Sequence, residues 1–274
     1  MTLGDLYQNI RARFRDAGLD TPELDARLLI SYALGCAPDD VILKPDMPVT
    51  SNAVLDDAVA RRLKSEPVSR ITGMREFYGL AFDVTPDVLD PRADTETLVD
   101  EARKYLKPGA RILDLCTGSG AILAALLTLE PTATGIAADV SQAALDVARG
   151  NFKRHAMESR VQCVQGNWLE NVAGTFDIIA CNPPYIESDV IHALDADVRL
   201  YDPHLALDGG ADGLAPYRIV FPQIRGCMTD DAIALFEIGA AQAPDVTRLA
   251  QNVGLNVKCV LKDLGGNERV VVLH

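Results

Sequence analysis

The sequence predicts an α/β protein: a Rossmann-like, mostly parallel seven-stranded sheet preceded by a small helical N-terminal domain. Three observations carry this. From residue 94 onward short β-type runs alternate with helical stretches, whereas residues 1–70 show helical periodicity only. A glycine-rich turn, Asp114-Leu115-Cys116-Thr117-Gly118-Ser119-Gly120, follows one β-type run and opens a helix. Alternation of this kind argues for parallel strands covered on both faces, with right-handed crossovers that bring the strand C-termini to one binding edge.

Taken in order, Leu3, Leu6, Tyr7, Ile10 and Phe14 recur at the spacing of one helical face, and Gly18 follows as a stop. Thr21-Pro22-Glu23 reads as an N-cap with proline in the first turn, opening a helix through Leu34 that Gly35 ends. After Pro45 and Pro48, the residues Val54, Leu55, Ala58, Val59 and Leu63 form another apolar stripe. Residues 1–67 are therefore expected to be a helical substrate-recognition domain without catalytic residue types. Residues 68–91 read as a β-hairpin linker, with Phe77-Tyr78 and residues 80–84 β-prone around Gly79. In residues 92–274, the expected catalytic domain, the β-type runs are 111–116, 133–139, 161–165, 176–181 and 232–238. The helical stretches are 119–129, 141–155, 214–228 and 244–252. Runs 255–261 and 269–273, joined by Gly265-Gly266-Asn267, close the sheet as an antiparallel hairpin.

Composition bounds the function. The 274 residues carry 26 Lys+Arg against 39 Asp+Glu, and the net charge of −13 opposes binding to phosphate backbones or anionic lipid. Six cysteines lie far apart with no C-x-x-C pair, and none of the four histidines has metal-ligand spacing, so no metal site is expected. The thiols read as reduced in a cytoplasmic protein. The N-terminus lacks a signal-peptide core, and the longest strongly apolar stretch, residues 121–129, is far short of a membrane span.

The turn at 114–120 lets the backbone approach a ligand and leads into a helix N-terminus. Asp139 ends the next strand, where its carboxylate can accept from both ribose hydroxyls of a nucleoside cofactor. These features fit a dinucleotide or S-adenosylmethionine, and a tight strand-helix turn with a capping aspartate is the bland alternative. Two details favour the methyl donor. Leu123 stands where the dinucleotide fingerprint asks for Gly or Ala three residues beyond Gly120, and Asp114 would repel a pyrophosphate but suits an ammonium. Cys116, Thr117, Gly118, Ser119 and Gly120 are thus candidate cofactor-binding residues together with Asp114 and Asp139.

Asn182-Pro183-Pro184-Tyr185 directly follows the apolar run 176–181. Each proline fixes φ and lacks an N–H, and the residue before a proline is pushed into extended conformations, so Asn182 and Pro183 are held stiffly with carbonyls free to accept. A planar NH2 group can donate one hydrogen to the Asn182 side-chain oxygen and the other to the Pro183 carbonyl, with the Tyr185 ring packed on the flat π-system. The tetrad reads as a seat for a conjugated amino group, either a base amine or a carboxamide.

The tetrad, the turn DLCTGSGAI, RADTE (residues 92–96), ITGMREFYGL (71–80), LDGGADGL (207–214), LFEIG (235–239) and GGNERV (265–270) together resemble the release factor glutamine methyltransferases, the HemK/PrmC family. The likeness covers nearly the whole chain. It implies the class I methyltransferase fold and transfer of a methyl group from S-adenosyl-L-methionine to the side-chain amide nitrogen of the glutamine in the Gly-Gly-Gln motif of class I peptide chain release factors. It places Asn182, Pro183 and Tyr185 in the catalytic seat, with Pro184 beside the substrate, and adds Asn167 and Trp168 as cofactor contacts, Trp168 flanking the adenine. Two positions depart from the family pattern: Cys116 replaces the first glycine of the turn, and Asn167 replaces an acidic residue. A monomer is expected, with no direct nucleic-acid partner. Two competing readings are an N6-adenine methyltransferase, which uses the same tetrad but needs a basic groove, and a catalytically silent protein of the same fold. Glu237 reads equally as a strand-edge residue or a buried, paired carboxylate.

Overall fold

In the computed structural model, which describes residues 1–274, the initial periodicity becomes helices α1 (Leu3–Asp16), α2 (Pro22–Leu34), α3 (Asp40–Leu43), α4 (Ala53–Arg62) and α5 (Val68–Thr72). A capping box starts α1. Thr2 Oγ1 accepts from the Asp5 N–H at 3.1 Å, and the Asp5 carboxylate accepts from the Thr2 N–H at 3.0 Å, satisfying groups that a helix start leaves unpaired. The face predicted for α1 is buried in one apolar cluster with Leu29 and Ile30 of α2 and Leu55 and Val59 of α4. Thr21 behaves differently from the expected cap: its hydroxyl donates to Asp25 at 2.8 Å and makes no capping bond. Asp25 is buried and also accepts from Arg62 at 2.7 Å. A buried carboxylate needs donors.

The chain forms two compact units, Met1–Gly73 with Asp195–Tyr201, and Met74–Leu194 with Asp202–His274. Residues 68–72, expected in the linker, are instead the helix α5, because Ile71 buries in the helical cluster. The hairpin itself is β1 (Met74–Phe77) and β2 (Leu80–Asp83), turned by Tyr78 and Gly79, both at positive φ, the geometry of a two-residue turn matched to strand twist.

The second unit continues with α6 (Glu96–Ala102), β3 (Arg111–Leu115), α7 (Ala121–Leu129), β4 (Thr134–Asp139), α8 (Gln142–Arg154), β5 (Val161–Gln165) and β6 (Phe176–Cys181). After these come α9 (Ala196–Tyr201), which belongs to the first unit, α10 (Ala215–Ile224), β7 (Met228–Glu237), α11 (Ala243–Asn252), β8 (Val257–Lys262) and β9 (Glu268–Leu273). The helix predicted over 214–228 stops at Ile224. Strand β7 begins at Met228, earlier than the expected 232, and carries Asp230 and Asp231 on an exposed stretch. That charged pair is what hid the start of the strand.

The seven strands are ordered β5-β4-β3-β6-β7-β9-β8, parallel from β5 to β7 and antiparallel at β7-β9 and β9-β8. The fold is therefore the predicted mostly parallel seven-stranded sheet with the closing antiparallel pair. Strands β3 and β6 lie side by side at the point where strand order reverses, and the C-terminal edge there is where such sheets bind ligands. The turn after Leu115 and the tetrad after Cys181 leave the sheet at that edge, and Leu115 and Cys181 are register partners.

Candidate functional site

A cavity of about 590 Å³ opens along this edge within the second unit, lined by Cys116 to Ser119, Asp139, Asn167, Trp168, Asn182 and Pro184, together with Phe77, Arg92 and Thr95. Its floor is the turn. Cys116 sits at φ 61°, in the left-handed region where a side chain is disfavoured, and Gly118 at φ 53°. Cys116 therefore occupies a backbone conformation that favours glycine. The Gly118 N–H donates to Asp139 Oδ2 at 3.0 Å and the Ser141 N–H to Oδ1 at 2.9 Å. Burial raises the Asp139 pKa against these bonds, which lower it. Both carboxylate oxygens keep further lone pairs for ligand hydroxyls. Trp168 lines the wall at φ 57°, packed on the same apolar cluster as Cys116.

Asp114 is placed differently from the expectation that it meets the ligand in the turn. Strand alternation puts Leu113 and Leu115 in one core cluster, and Asp114 shares the opposite face with Ile112, under α7. There it is fully buried, does not line the cavity, and accepts at Oδ2 from the Thr117 hydroxyl at 2.6 Å and the Leu123 N–H at 3.3 Å. Its Oδ1 has no partner. Burial pushes its pKa to about 7, with the Asp139 charge adding to the rise and the two hydrogen bonds opposing it.

The tetrad leaves the sheet beside the turn. Asn182 Nδ2 donates to Thr95 Oγ1 at 3.2 Å, and the Thr95 hydroxyl donates to Glu237 Oε2 at 2.6 Å. The Tyr185 hydroxyl donates to Glu237 Oε1 at 3.2 Å, and the Tyr217 hydroxyl donates to the Glu237 carbonyl at 2.8 Å. The Tyr185 hydroxyl is tied to this carboxylate, and neither Tyr185 nor Pro183 lines the cavity. Burial raises the Tyr185 pKa, and the nearby Glu237 charge adds to the rise. Glu237 is buried, and burial pushes its pKa to about 7 despite the Thr95 and Tyr185 hydroxyls and the Arg269 charge. Arg269 in turn pairs with Asp94 at 3.3 Å and Asp263 at 3.0 Å. Four strings scattered along the sequence, RADTE, NPPY, FEIG and NERV, thus meet in one buried polar network.

A second brace holds the backbone of the tetrad. The Ile186 N–H donates to the Leu207 carbonyl at 3.0 Å, the Gly209 N–H to the Ile186 carbonyl at 2.8 Å, and Gln242 Nε2 to the Tyr185 carbonyl at 2.9 Å. A Cβ on Gly213, at φ 68°, would stand 2.4 Å from the Tyr185 carbonyl oxygen, and one on Gly209 would stand 2.8 Å from the Tyr185 Cα. Glycine at these two positions lets the LDGGADGL segment lie directly on the tetrad. Sequence reasoning missed Thr95 and Arg92 as cavity residues, although RADTE carries both; the Arg92 guanidinium pairs with buried Asp202 at 2.5 Å.

A seven-stranded sheet of this order, parallel except for its closing antiparallel pair and with an acid-ended β4, is the fold of the class I methyltransferases. A methyltransferase from Pyrococcus furiosus shares the fold, with a TM-score of 0.55 at 17% identity over 80% of this chain and 98% of that one. Residues 5–73 match the PrmC N-terminal domain and residues 90–198 the methyltransferase small domain. The release factor glutamine methyltransferase of Agrobacterium fabrum is 43% identical over 96% of this chain and 94% of its own length. That of Rhodospirillum rubrum is 43% identical over 99% and 85%. The chain belongs to the release factor glutamine methyltransferase family.

Proposed function

We propose that the protein transfers a methyl group from S-adenosylmethionine to the side-chain amide nitrogen of the glutamine in the Gly-Gly-Gln motif of class I peptide chain release factors. The observation that carries this is Asn182: with Nδ2 committed to Thr95, the amide oxygen is left to accept from an incoming NH2. The likeness to named release factor glutamine methyltransferases over nearly the whole chain supports a carboxamide over a base amine.

The residues fit the methyl donor. Asp139 offers a fixed carboxylate for the ribose hydroxyls. The unpartnered Asp114 oxygen beneath the turn favours a cation and opposes a pyrophosphate. Cys116, Thr117, Gly118 and Ser119 would hold the amino-acid end, and Asn167 and Trp168 the adenine. When bound, the donor supplies an electrophilic methyl on a sulfonium.

An amide nitrogen is a weak nucleophile because its lone pair is delocalised into the carbonyl. The contribution of the chain is orientation: the Asn182 oxygen and the Pro183 carbonyl each take one N–H, fixing the plane of the NH2 and leaving one face exposed. Such positioning contributes up to about 7–11 kcal/mol in favourable cases. Acceptors that strengthen as the N–H groups acidify add selectivity for the transition state. The attacked nitrogen then sheds its proton without a dedicated strong base. The helical first unit spends its apolar stripes on its own core and carries no catalytic residue types, and we assign it to recognition of the protein substrate. The six cysteines are all free thiols, which suits a reducing cytoplasm, and no helix is long and apolar enough to cross a membrane. We take the active species to be a monomer.

The test offers radiolabelled methyl donor with purified release factor and, separately, with DNA, then maps the labelled atom. Label on the glutamine amide nitrogen is expected; label on adenine or none on the factor overturns the reading.

A further inference from the structure

The polar chain behind Asn182 does more than hold a loop. Thr95 has one proton. In the structure it goes to Glu237 Oε2 at 2.6 Å, and the Thr95 oxygen then accepts from Asn182 Nδ2 at 3.2 Å. An ionised carboxylate accepts and cannot donate, so it compels this direction of the chain. The consequence reaches the cavity: an Asn182 amide that points NH2 at Thr95 must point its oxygen the other way. A neutral Glu237 carries a proton of its own and can donate to Thr95. The Thr95 hydroxyl then turns to Asn182 and asks for its oxygen, which presents the Asn182 NH2 to the substrate. Two NH2 groups facing each other cannot hydrogen-bond.

We infer that Glu237, acting through Thr95, is a positioning residue that sets which end of the Asn182 amide faces the substrate nitrogen, so that turnover requires the ionised carboxylate. This rests on the methyl-transfer reading above and adds to it a control built from residues that do not touch the reacting atoms.

The surroundings make Glu237 the group in this network that titrates near neutrality. The charged or titratable groups that face it are Asp94 beside Thr95, Tyr185 after β6, Cys181 on β6, Tyr217 on α10 and Arg269 on β9. Burial raises the carboxyl to about 7 and Asp94 adds to the rise, while Thr95, Tyr185 and Arg269 pull it down. Cys181 and Tyr217 are themselves pushed far up by burial and stay neutral. Asp94 and Arg269 are ion-paired at 3.3 Å.

The experiment has two readouts on the full chain. With saturating donor and release factor, wild-type kcat is expected to fall about tenfold per pH unit on the acid side of a midpoint near the Glu237 pKa. Thr95→Val cuts the relay, so this limb vanishes and plateau kcat drops about tenfold, the net worth of one hydrogen bond. Glu237→Gln also removes the limb, and Thr95→Ser, which keeps the hydroxyl, restores it. Donor affinity stays within about twofold in Glu237→Gln, because Glu237 does not line the cavity.

The second readout needs no substrate. The side-chain 15N signal of Asn182 is expected to titrate together with the 13C carboxyl signal of Glu237 in wild type and in Thr95→Ser, and to stop titrating in Thr95→Val. An enzyme that methylates release factor with the same acid limb in Thr95→Val and in wild type, or an Asn182 signal indifferent to Glu237, overturns the relay while methyl transfer stands. Coupled titration in a protein that leaves release factor unmethylated supports the relay and overturns the substrate assignment instead.

Discussion

Replacing Asp114 with asparagine tests whether a charge is held beneath the cofactor turn. The wild-type carboxyl is raised from 3.8 to about 7 by burial. A raised folded-state pKa means that the folded protein keeps this proton after the unfolded chain has lost it. Its contribution to stability is therefore fully present below pH 4, declines as pH rises, and is gone above about pH 7. Each unit corresponds to about 1.4 kcal/mol, so the part lost between pH 5 and pH 8 is about 3 kcal/mol. Asparagine has no proton to lose. Its oxygen can keep the bonds from Thr117 and Leu123, while its NH2 takes the place of the unpartnered Oδ1, at a cost that is the same at both pH values and cancels from the difference. Urea unfolding followed by the fluorescence of the single tryptophan, Trp168, should show the variant gaining about 3 kcal/mol on wild type between pH 5 and pH 8. A gap that does not change with pH refutes the buried charge. The same carboxyl makes a second, coupled expectation: a cationic ligand over the turn draws the pKa back down, so donor binding at pH 6 releases up to about one proton more from wild type than from Asp114→Asn. Calorimetry in buffers of different ionisation enthalpy measures it.

Asn182→Ala should lower kcat by roughly 10²–10³ with donor affinity unchanged, because an orienting acceptor is lost; turnover at the wild-type rate would leave the tetrad a purely structural loop. Asp139→Ala should weaken donor binding about 10- to 100-fold, since it removes the ribose acceptor and also frees the Gly118 and Ser141 N–H groups; calorimetry with unchanged affinity argues against that placement. Cys116→Gly should keep methylation and stabilise the fold by up to about 1 kcal/mol, because it relieves a left-handed side-chain conformation. A folded but inactive Cys116→Gly would give the thiol a role that backbone strain does not explain.

What the sequence disclosed was local. Asp139 and the turn at 116–120 were legible because strand, turn and helix follow one another along the chain, and NPPY because two prolines stiffen their own neighbours. The relay was not legible, since Asn182 and Thr95 lie 87 residues apart and Thr95 and Glu237 142 apart. Nothing in RADTE or LFEIG reveals that their hydroxyl and carboxyl meet. Asp114 was misplaced for a different reason. Its neighbours in sequence put it in the turn, but the two-residue period of β3 turns it under α7. At the tetrad, the bond from the Tyr185 hydroxyl to Glu237 spans 52 residues and was equally out of reach of a local reading. Helix α9 is short and has no fully buried residue, so it lacks the periodicity that marks a longer helix.

The pinning of Ile186 against Leu207 and Gly209 also bears on how this family can diversify. The intervening residues begin and end at one clamped point, so the register of Asn182 is held by these backbone bonds and not by the path between them. Because closing a longer flexible loop costs only about 0.6 kcal/mol for each doubling, a change of length within this stretch should leave the position of Asn182 in place. A protein engineer can use the same seam as a grafting point.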